Sequence, residues 1–377
     1  MTNENKLLER LSKQSCVFFF LLFISSIFIT KVYGQEIFDV YEDGQNQDFI
    51  GQNKGLEEYE EASWKNEKGH NTEEIKKKLG ENYIRIKKNQ SELFSVDFTE
   101  FDMERRLVLD IYAMNRASIS KQDIVMFWGG KQQKNSADIF KKVLKDVTIQ
   151  YNTAENGTFK ACINFQWNHV YTYMIYEDVD YIYVDCWRPK DIYDRIVVID
   201  AGHGGDDTGS YAKWGEWSEK DYNLDIVNKI AESWQDGSTK LYFTRTKDEK
   251  VSLSDRVEFA NELGADLFIS IHCNSTDEYA GSGLEALYKS NSYSSLSQNI
   301  AENCLGNLEN SIGLTNRGVL DGNNIYIIRK SKMPTILLEM GFLSDEKDLS
   351  YLEQEDVRKK MADTICVSIK QGLEQIK

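Results

Sequence analysis

The sequence predicts an α/β domain built on a mostly parallel sheet covered by helices on both faces, preceded by a small all-β sandwich. Three observations lead there. Between residues 81 and 190 the apolar residues fall in short aromatic and β-branched runs separated by turn residues. After Pro189 strand-like runs alternate with amphipathic helical ones, the rhythm of a sheet with helices packed on it. Three of those later runs close on His203, His272 and Glu339, at the carboxyl ends of strands, where ligands gather in such sheets.

The first 34 residues read as an export segment. Lys6, Arg10 and Lys13 precede an uncharged apolar stretch, residues 16–30, and Val32-Tyr33-Gly34 offers small residues to a peptidase. The stretch is shorter than the roughly 18 residues of a spanning helix, so cleavage after Gly34 is the preferred reading. Membrane attachment through residues 16–30 is the alternative. Residues 35–80 form an acidic flexible spacer: 36–61 hold nine acidic residues and one basic one with no apolar period. Within it, 73–79 has the makings of a short helix.

Residues 81–190 carry the sandwich, with strands at 83–86, 93–98, 107–112, 124–128, 147–151, 159–165, 171–176 and 181–185 and a short helix near 137–145. Asn156-Gly157 is a hairpin signal, since both residues tolerate positive φ. Residues 191–377 carry the α/β domain. Its strands are predicted near 195–200, 240–244, 267–272, 283–288 and 335–339, and its helices near 219–234, 253–263, 295–308 and 356–375. Ser218 with Asp221 makes a capping-box start to the first helix, and Gly264 suits the end of the second.

Across 377 residues, 45 Lys and Arg stand against 61 Asp and Glu, a net charge of -16. That excludes nucleic acid as a partner, because a polyanion demands clustered cations. Beyond the export segment lie five cysteines, Cys162, Cys186, Cys273, Cys304 and Cys366, with no C-x-x-C pair. An odd count argues against a full disulfide framework; Cys162 and Cys186 can pair only if their strands are neighbours.

Two of the four histidines end strand-like runs, His203 and His272, and Glu219 opens the helix between them. Two imidazoles and a carboxylate are a common catalytic zinc set with one position left for water. Zinc lowers the pKa of that water from about 16 to about 7 and polarises the carbonyl under attack. Glu339 supplies the remaining need, a carboxylate that takes the water's proton and passes it to the leaving amine. A carboxylate closing so apolar a run is costly to bury without a charged partner. Asp200 is a candidate acceptor for a ligand imidazole. Each residue alone has an ordinary structural role available, Glu219 as complement to a helix dipole for instance; together the four point to metal-assisted hydrolysis.

The runs Ile199-Asp-Ala-Gly-His-Gly-Gly-Asp-Asp-Thr-Gly209, Glu219-Lys-Asp-Tyr-Asn-Leu224, Thr244-Arg-Thr-Lys-Asp248, Arg256-Val-Glu-Phe-Ala-Asn261, Phe268-Ile-Ser-Ile-His-Cys-Asn274 and Leu338-Glu-Met-Gly-Phe-Leu-Ser344 resemble the zinc-dependent N-acetylmuramoyl-L-alanine amidases of the type 3 family, in order and in spacing. The resemblance covers residues 195–377 and departs at Thr208 and Asp345, neither of them a proposed ligand. It implies a zinc amidase fold and cleavage of the amide between N-acetylmuramic acid and the L-alanine of the peptidoglycan stem peptide. It also implies that His203, Glu219 and His272 hold one zinc and that Glu339 is general base and then acid. Arg256 and Asn261 are expected to support the fold. Family members held inactive carry a helical block over the site; here 276–282 is a short connection and 284–333 holds one helix, a loop and a strand, so no such block is expected.

The β-rich segment resembles the AMIN-type wall-targeting domains that precede some of these amidases. Trp128, Trp167 and Trp187 within it read as core rather than as sugar-binding rings. The whole then reads as an exported enzyme of the cell wall, with peptidoglycan as substrate and a protein activator left open. Two alternatives stand beside it, a catalytically inactive wall-binding or partner-activating protein, and a zinc peptidase acting within the stem peptide.

Overall fold

The computed structural model describes residues 72–376, apart from 89–92, 114–118, 134–137, 154–158, 277–280 and 291–292. The export segment, most of the spacer and the Asn156-Gly157 turn lie outside the described residues. The spacer's final residues form helix α1, Thr72–Lys78, which buries Ile75 and ties Thr72 to Asp178 through a 2.9 Å hydrogen bond.

Nine strands follow: β1 Tyr83–Lys87, β2 Leu93–Phe101, β3 Arg106–Ala113, β4 Ile124–Trp128, β5 Lys131–Gln132, β6 Leu144–Thr153, β7 Phe159–Trp167, β8 Thr172–Glu177 and β9 Tyr181–Trp187, with helix α2 Asp138–Val143 before β6. They form two sheets, in the orders β5-β4-β1-β9-β8 and β2-β3-β7-β6, and every neighbouring pair is antiparallel. The period-2 pattern places one face of each sheet inward; along β3 every second residue is buried. Ile84, Ile86 and Val184 of the first sheet share one core with Leu109, Ile163 and Phe165 of the second, which makes a sandwich. Trp167 is buried in it and Trp128 packs at its margin. Cys162 and Cys186 fall on different sheets and are free, as are the other three described cysteines.

The second half contains α3 Pro189–Ile192, β10 Arg195–Ala201, α4 Glu219–Ser233, β11 Thr239–Phe243, α5 Leu253–Leu263, β12 Leu267–Asn274, β13 Leu284–Tyr288, α6 Ser294–Ile312, β14 Asn316–Asp321, α7 Tyr326–Lys330, β15 Thr335–Phe342, α8 Glu346–Leu352 and α9 Glu355–Gln375. Its sheet has the order β11-β10-β12-β15-β13-β14. One face packs against α4, α6 and α9 through Ile199, Ile269, Ile271 and Leu338, and the other against α5 and α7 through Ile196, Val198, Phe268 and Leu337. Both faces are therefore covered, as an α/β domain requires.

A mostly parallel architecture does not describe the chain. Both sandwich sheets are antiparallel, and the C-terminal sheet is mixed, since β13 runs antiparallel to β15 while its other four pairs are parallel. Chain length explains the reversal: nine residues separate β12 from β13, fewer than the dozen or so that a parallel crossover takes. Segment 284–333 also holds a second strand, β14, and the short α7, where the sequence suggested one strand. The cap expectations agree with the structure: Asp221 accepts hydrogen bonds from Ser218 at 2.7 and 2.9 Å, and Gly264 ends α5 at a φ of 60°. Asp345 caps α8, accepting from the Asp348 amide at 3.0 Å.

The two halves meet at Glu262 on α5. Its carboxylate pairs with Arg105 at 2.7 Å and accepts the Val170 amide at 2.7 Å, and a second contact joins the Thr172 and Tyr242 hydroxyls at 3.2 Å. Replacing Phe165, fully buried in the sandwich core, by alanine is expected to cost about 3–5 kcal/mol, measured as a lower denaturant midpoint. A loss below about 1 kcal/mol would contradict a core shared by both sheets.

Candidate active site

The strand run 195–201 ends at Ala201, and a glycine-rich turn carries the chain over the sheet edge. His203 sits in that turn with a left-handed φ of 62°, a conformation that costs a non-glycine residue energy and needs outside support. Arg256 of α5 provides it, donating to the carbonyls of Ala201 at 2.6 Å and His203 at 2.7 Å. Arg245 adds bonds to the carbonyls of Ala201 and Gly202 at 2.9 and 2.8 Å. Asn261, further along α5, instead braces the start of β15, accepting from the Lys332 amide at 2.8 Å. Both α5 residues support the fold.

Glu219 is the first residue of α4 and is only 4% exposed. Its Oε1 lies 2.8 Å from His272 Nδ1 and 3.2 Å from His203 Nε2, while Oε2 accepts the Ser210 amide at 2.9 Å. His203, Glu219 and His272 each offer a ligand atom within 4.8 Å of the others. The imidazoles meet edge to face, with centroids 5.0 Å apart. Two glycines make this convergence sterically possible. A Cβ at Gly202 would stand 2.3 Å from the His272 ring, and one at Gly209, where φ is 63°, would stand 2.5 Å from Glu219 Oε2 and 2.7 Å from His203 Cδ2.

Glu339 reaches the site by register: on β15 it pairs with His272 of β12 on one side and with Glu285 of β13 on the other. Its Oε2 is buried and has no hydrogen-bond partner. Burial pushes its carboxyl up to about 7; the charge of His272 opposes this, and Glu219 and Glu285 add to it. Burial also raises Glu219, but the hydrogen bonds from His203 and His272 outweigh it and hold that carboxyl far below the usual range. At His203 burial pulls the pKa down, yet Glu219 and Asp207 carry it up to about 9. The imidazole protons that face Glu219 are the ones a metal would displace.

Asp200 does not serve as the acceptor for a ligand imidazole. It is buried against Arg256, Thr244 and Ser270 at 2.5, 2.6 and 2.5 Å. Those partners take up its oxygens, and His203 Nδ1 instead meets Asp207 at 2.9 Å. Asp207 was legible as a carboxylate four residues after His203 in the glycine turn; the strand-end position of Asp200 was the more obvious and the wrong signal. Glu285, which holds Arg317 at 2.6 Å and Asn274 at 3.1 Å, also went unread.

The family model for N-acetylmuramoyl-L-alanine amidases matches residues 197–371, which contain the four site residues. An uncharacterized protein of Bacillus subtilis, YqiI, is 34% identical over 175 residues, covering 46% of this chain and 83% of YqiI. The chain belongs to the N-acetylmuramoyl-L-alanine amidase family. The amidase LytC of the same organism is 33% identical over 171 residues, 45% of this chain and 34% of LytC. An N-acetylmuramoyl-L-alanine amidase structure from Clostridium difficile is 30% identical, covers 48% of this chain and 98% of that one, and superposes with a TM-score of 0.46. Family membership makes the C-terminal half a peptidoglycan amidase domain. The sandwich lies outside the matched residues.

The glycine contacts give a test. For a divalent metal held by His203, Glu219 and His272, Gly202→Ala is expected to weaken binding by about 10–100-fold, as loss of ligand support does, in a competition titration of zinc against a chelating dye. Wild-type affinity in that variant would mean that His272 is not a ligand.

Proposed function

We propose that this chain is an exported, zinc-dependent N-acetylmuramoyl-L-alanine amidase that hydrolyses the amide between N-acetylmuramic acid and the first residue of the stem peptide. The observation that carries the proposal is the meeting of His203, Glu219 and His272 within 4.8 Å, beside the partnerless buried oxygen of Glu339. The donor set fits zinc: two imidazole nitrogens and one carboxylate, with a further carboxylate left free for proton transfer. Zinc held by these three residues would supply a water of lowered pKa and a polarised carbonyl.

The protein's own residues then do three things. Glu219, anchored by the Ser210 and Cys273 amides at 2.9 and 3.3 Å, holds both imidazoles in one orientation. Asp207 orients the far nitrogen of His203. Glu339, unbonded at Oε2, accepts a proton from the attacking water and returns it to the leaving nitrogen of L-alanine. The sandwich would serve wall targeting in the manner of AMIN-type domains, and residues 1–34 would direct export to the cell wall. Among the described residues no helix is long and apolar enough to cross a membrane.

Glu339 must be ionised to accept a proton. Since burial raises its pKa to about 7, the active fraction is lost as the pH falls through that value, and a bound dication moves the loss to lower pH. The expected kcat/KM profile has an acid limb at or below about pH 7 with a slope near one. Glu339→Gln is expected to lower kcat by about 10²–10⁴-fold while retaining zinc; unchanged turnover would remove Glu339 from the mechanism. The bond itself is tested by mass spectrometry of products from purified peptidoglycan, with zinc and with chelator. Free peptides beginning with L-alanine, released only with metal, are expected. Cuts within the stem would mark a peptidase instead, and bound zinc without any cut would mark a binding protein.

A further inference from the structure

Between His203 and Glu219 the chain makes a loop, residues 210–218, whose backbone is held at several points. Ser210 and Glu219 bond to each other through amide and carboxylate at 2.9 Å and through amide and carbonyl at 2.8 Å. Ala212 and Lys213 donate to the carbonyls of Trp217 and Leu343 at 3.4 and 3.2 Å. A Cβ at Gly215 would sit 3.2 Å from both the Tyr222 hydroxyl and Glu353 Oε1, so the loop lies close upon α4 and the segment between α8 and α9. It therefore joins the neighbourhood of Glu219 to the strand end just past Glu339 and forms a rim of the site.

On this fixed backbone the aromatic side chains divide. Trp217 is 37% exposed and has a structural use, with Tyr222 at 5.1 Å on one side and the Arg358 guanidinium at 4.7 Å on the other. Tyr211 is 70% exposed and Trp214 57%. Lys213 covers one face of the Trp214 ring at 4.8 Å, so the other is available. Single exposed apolar residues need no explanation, but two large rings on a pinned loop, at the edge of a catalytic centre, do.

We propose that Tyr211 and Trp214 form a saccharide platform that stacks on the N-acetylated sugar rings of the glycan strand. The proposal rests on the amidase reading and extends it to the substrate's carbohydrate portion. In such a substrate the scissile carbonyl hangs from the sugar through a short lactyl ether, so a ring bound on the rim lies within a few bonds of the reacting carbon. A pyranose offers an apolar C–H face edged by polar groups, and Tyr and Trp offer rigid apolar faces with one polar handle each, at little conformational cost. A stem peptide, carrying carboxylates and amides, would call instead for a cluster of charged and hydrogen-bonding groups. Binding energy collected on the sugar, away from the bond that breaks, would hold the amide against the metal site.

The test is a binding titration of the full chain with peptide-free glycan strands, which contain no bond to cut, and separately with isolated stem peptides. Binding of the strands with a change in tryptophan fluorescence is expected. Tyr211→Ala with Trp214→Ala is expected to weaken it about tenfold, while Val367→Ala, at an exposed residue of α9, leaves it unchanged. Equal binding by wild type and the double variant, no binding of strands, or loss confined to stem peptides would each overturn the platform. Amide hydrolysis is measured on intact peptidoglycan with the same preparations. Hydrolysis without loop-dependent strand binding rejects the platform alone; loop-dependent strand binding without hydrolysis supports the platform and rejects the amidase reading.

Discussion

The buried carboxylate of Glu219 is the group around which the site is assembled. A carboxylate 4% exposed is costly to desolvate and persists only when donors surround it. Here they come from four residues: the imidazoles of His203 and His272 and the amides of Ser210 and Cys273. Because those donors belong to the turn after β10, the strand β12 and the 210–218 loop, satisfying one charge draws three segments to one point. The start of α4 is the right location for it, since the helix dipole favours an anion there and the capping box fixes the helix origin.

A second buried charge stabilises the framework beneath. Asp200 and Arg256 form an ion pair at 2.5 Å, both nearly inaccessible, with Thr244 and Ser270 completing the carboxylate's bonds. Removing either partner would strand a charge in the interior, so the pair resists substitution even where its net contribution is small. Its consequence for function is positional. Arg256 and Arg245 collect the carbonyls of residues 201 to 203, where β10 ends, and thereby hold His203 in its left-handed conformation.

How much of this could be read in advance depended on the range of the interaction. Strands and helices with clear periodicity, such as β3, β7, α5 and α9, were legible because burial of one face imposes the pattern. His203, Glu219, His272 and Glu339, which the fold brings together, were legible as chemistry-bearing side chains at element ends. β14 was not, because Asn316–Asp321 is a half-exposed strand at the edge of its sheet with no alternation to betray it. Nor was the reversal of β13, which follows from a chain too short to cross over. The exchange of Asp200 for Asp207 as partner of His203 turned on the buried bonds of Asp200 to Arg256, Thr244 and Ser270, which join residues far apart in the chain. Glu285 acts through contacts with Asn274 and Arg317 on neighbouring elements, which no local pattern encodes.

The most direct test of the account is anomalous diffraction at the zinc edge from crystals of the protein grown with zinc. The account predicts a single strong peak bonded to His203 Nε2, a carboxylate oxygen of Glu219 and His272 Nδ1, with Glu339 adjacent and not coordinated. A peak elsewhere, or one that coordinates Glu339 in place of either histidine, would contradict it.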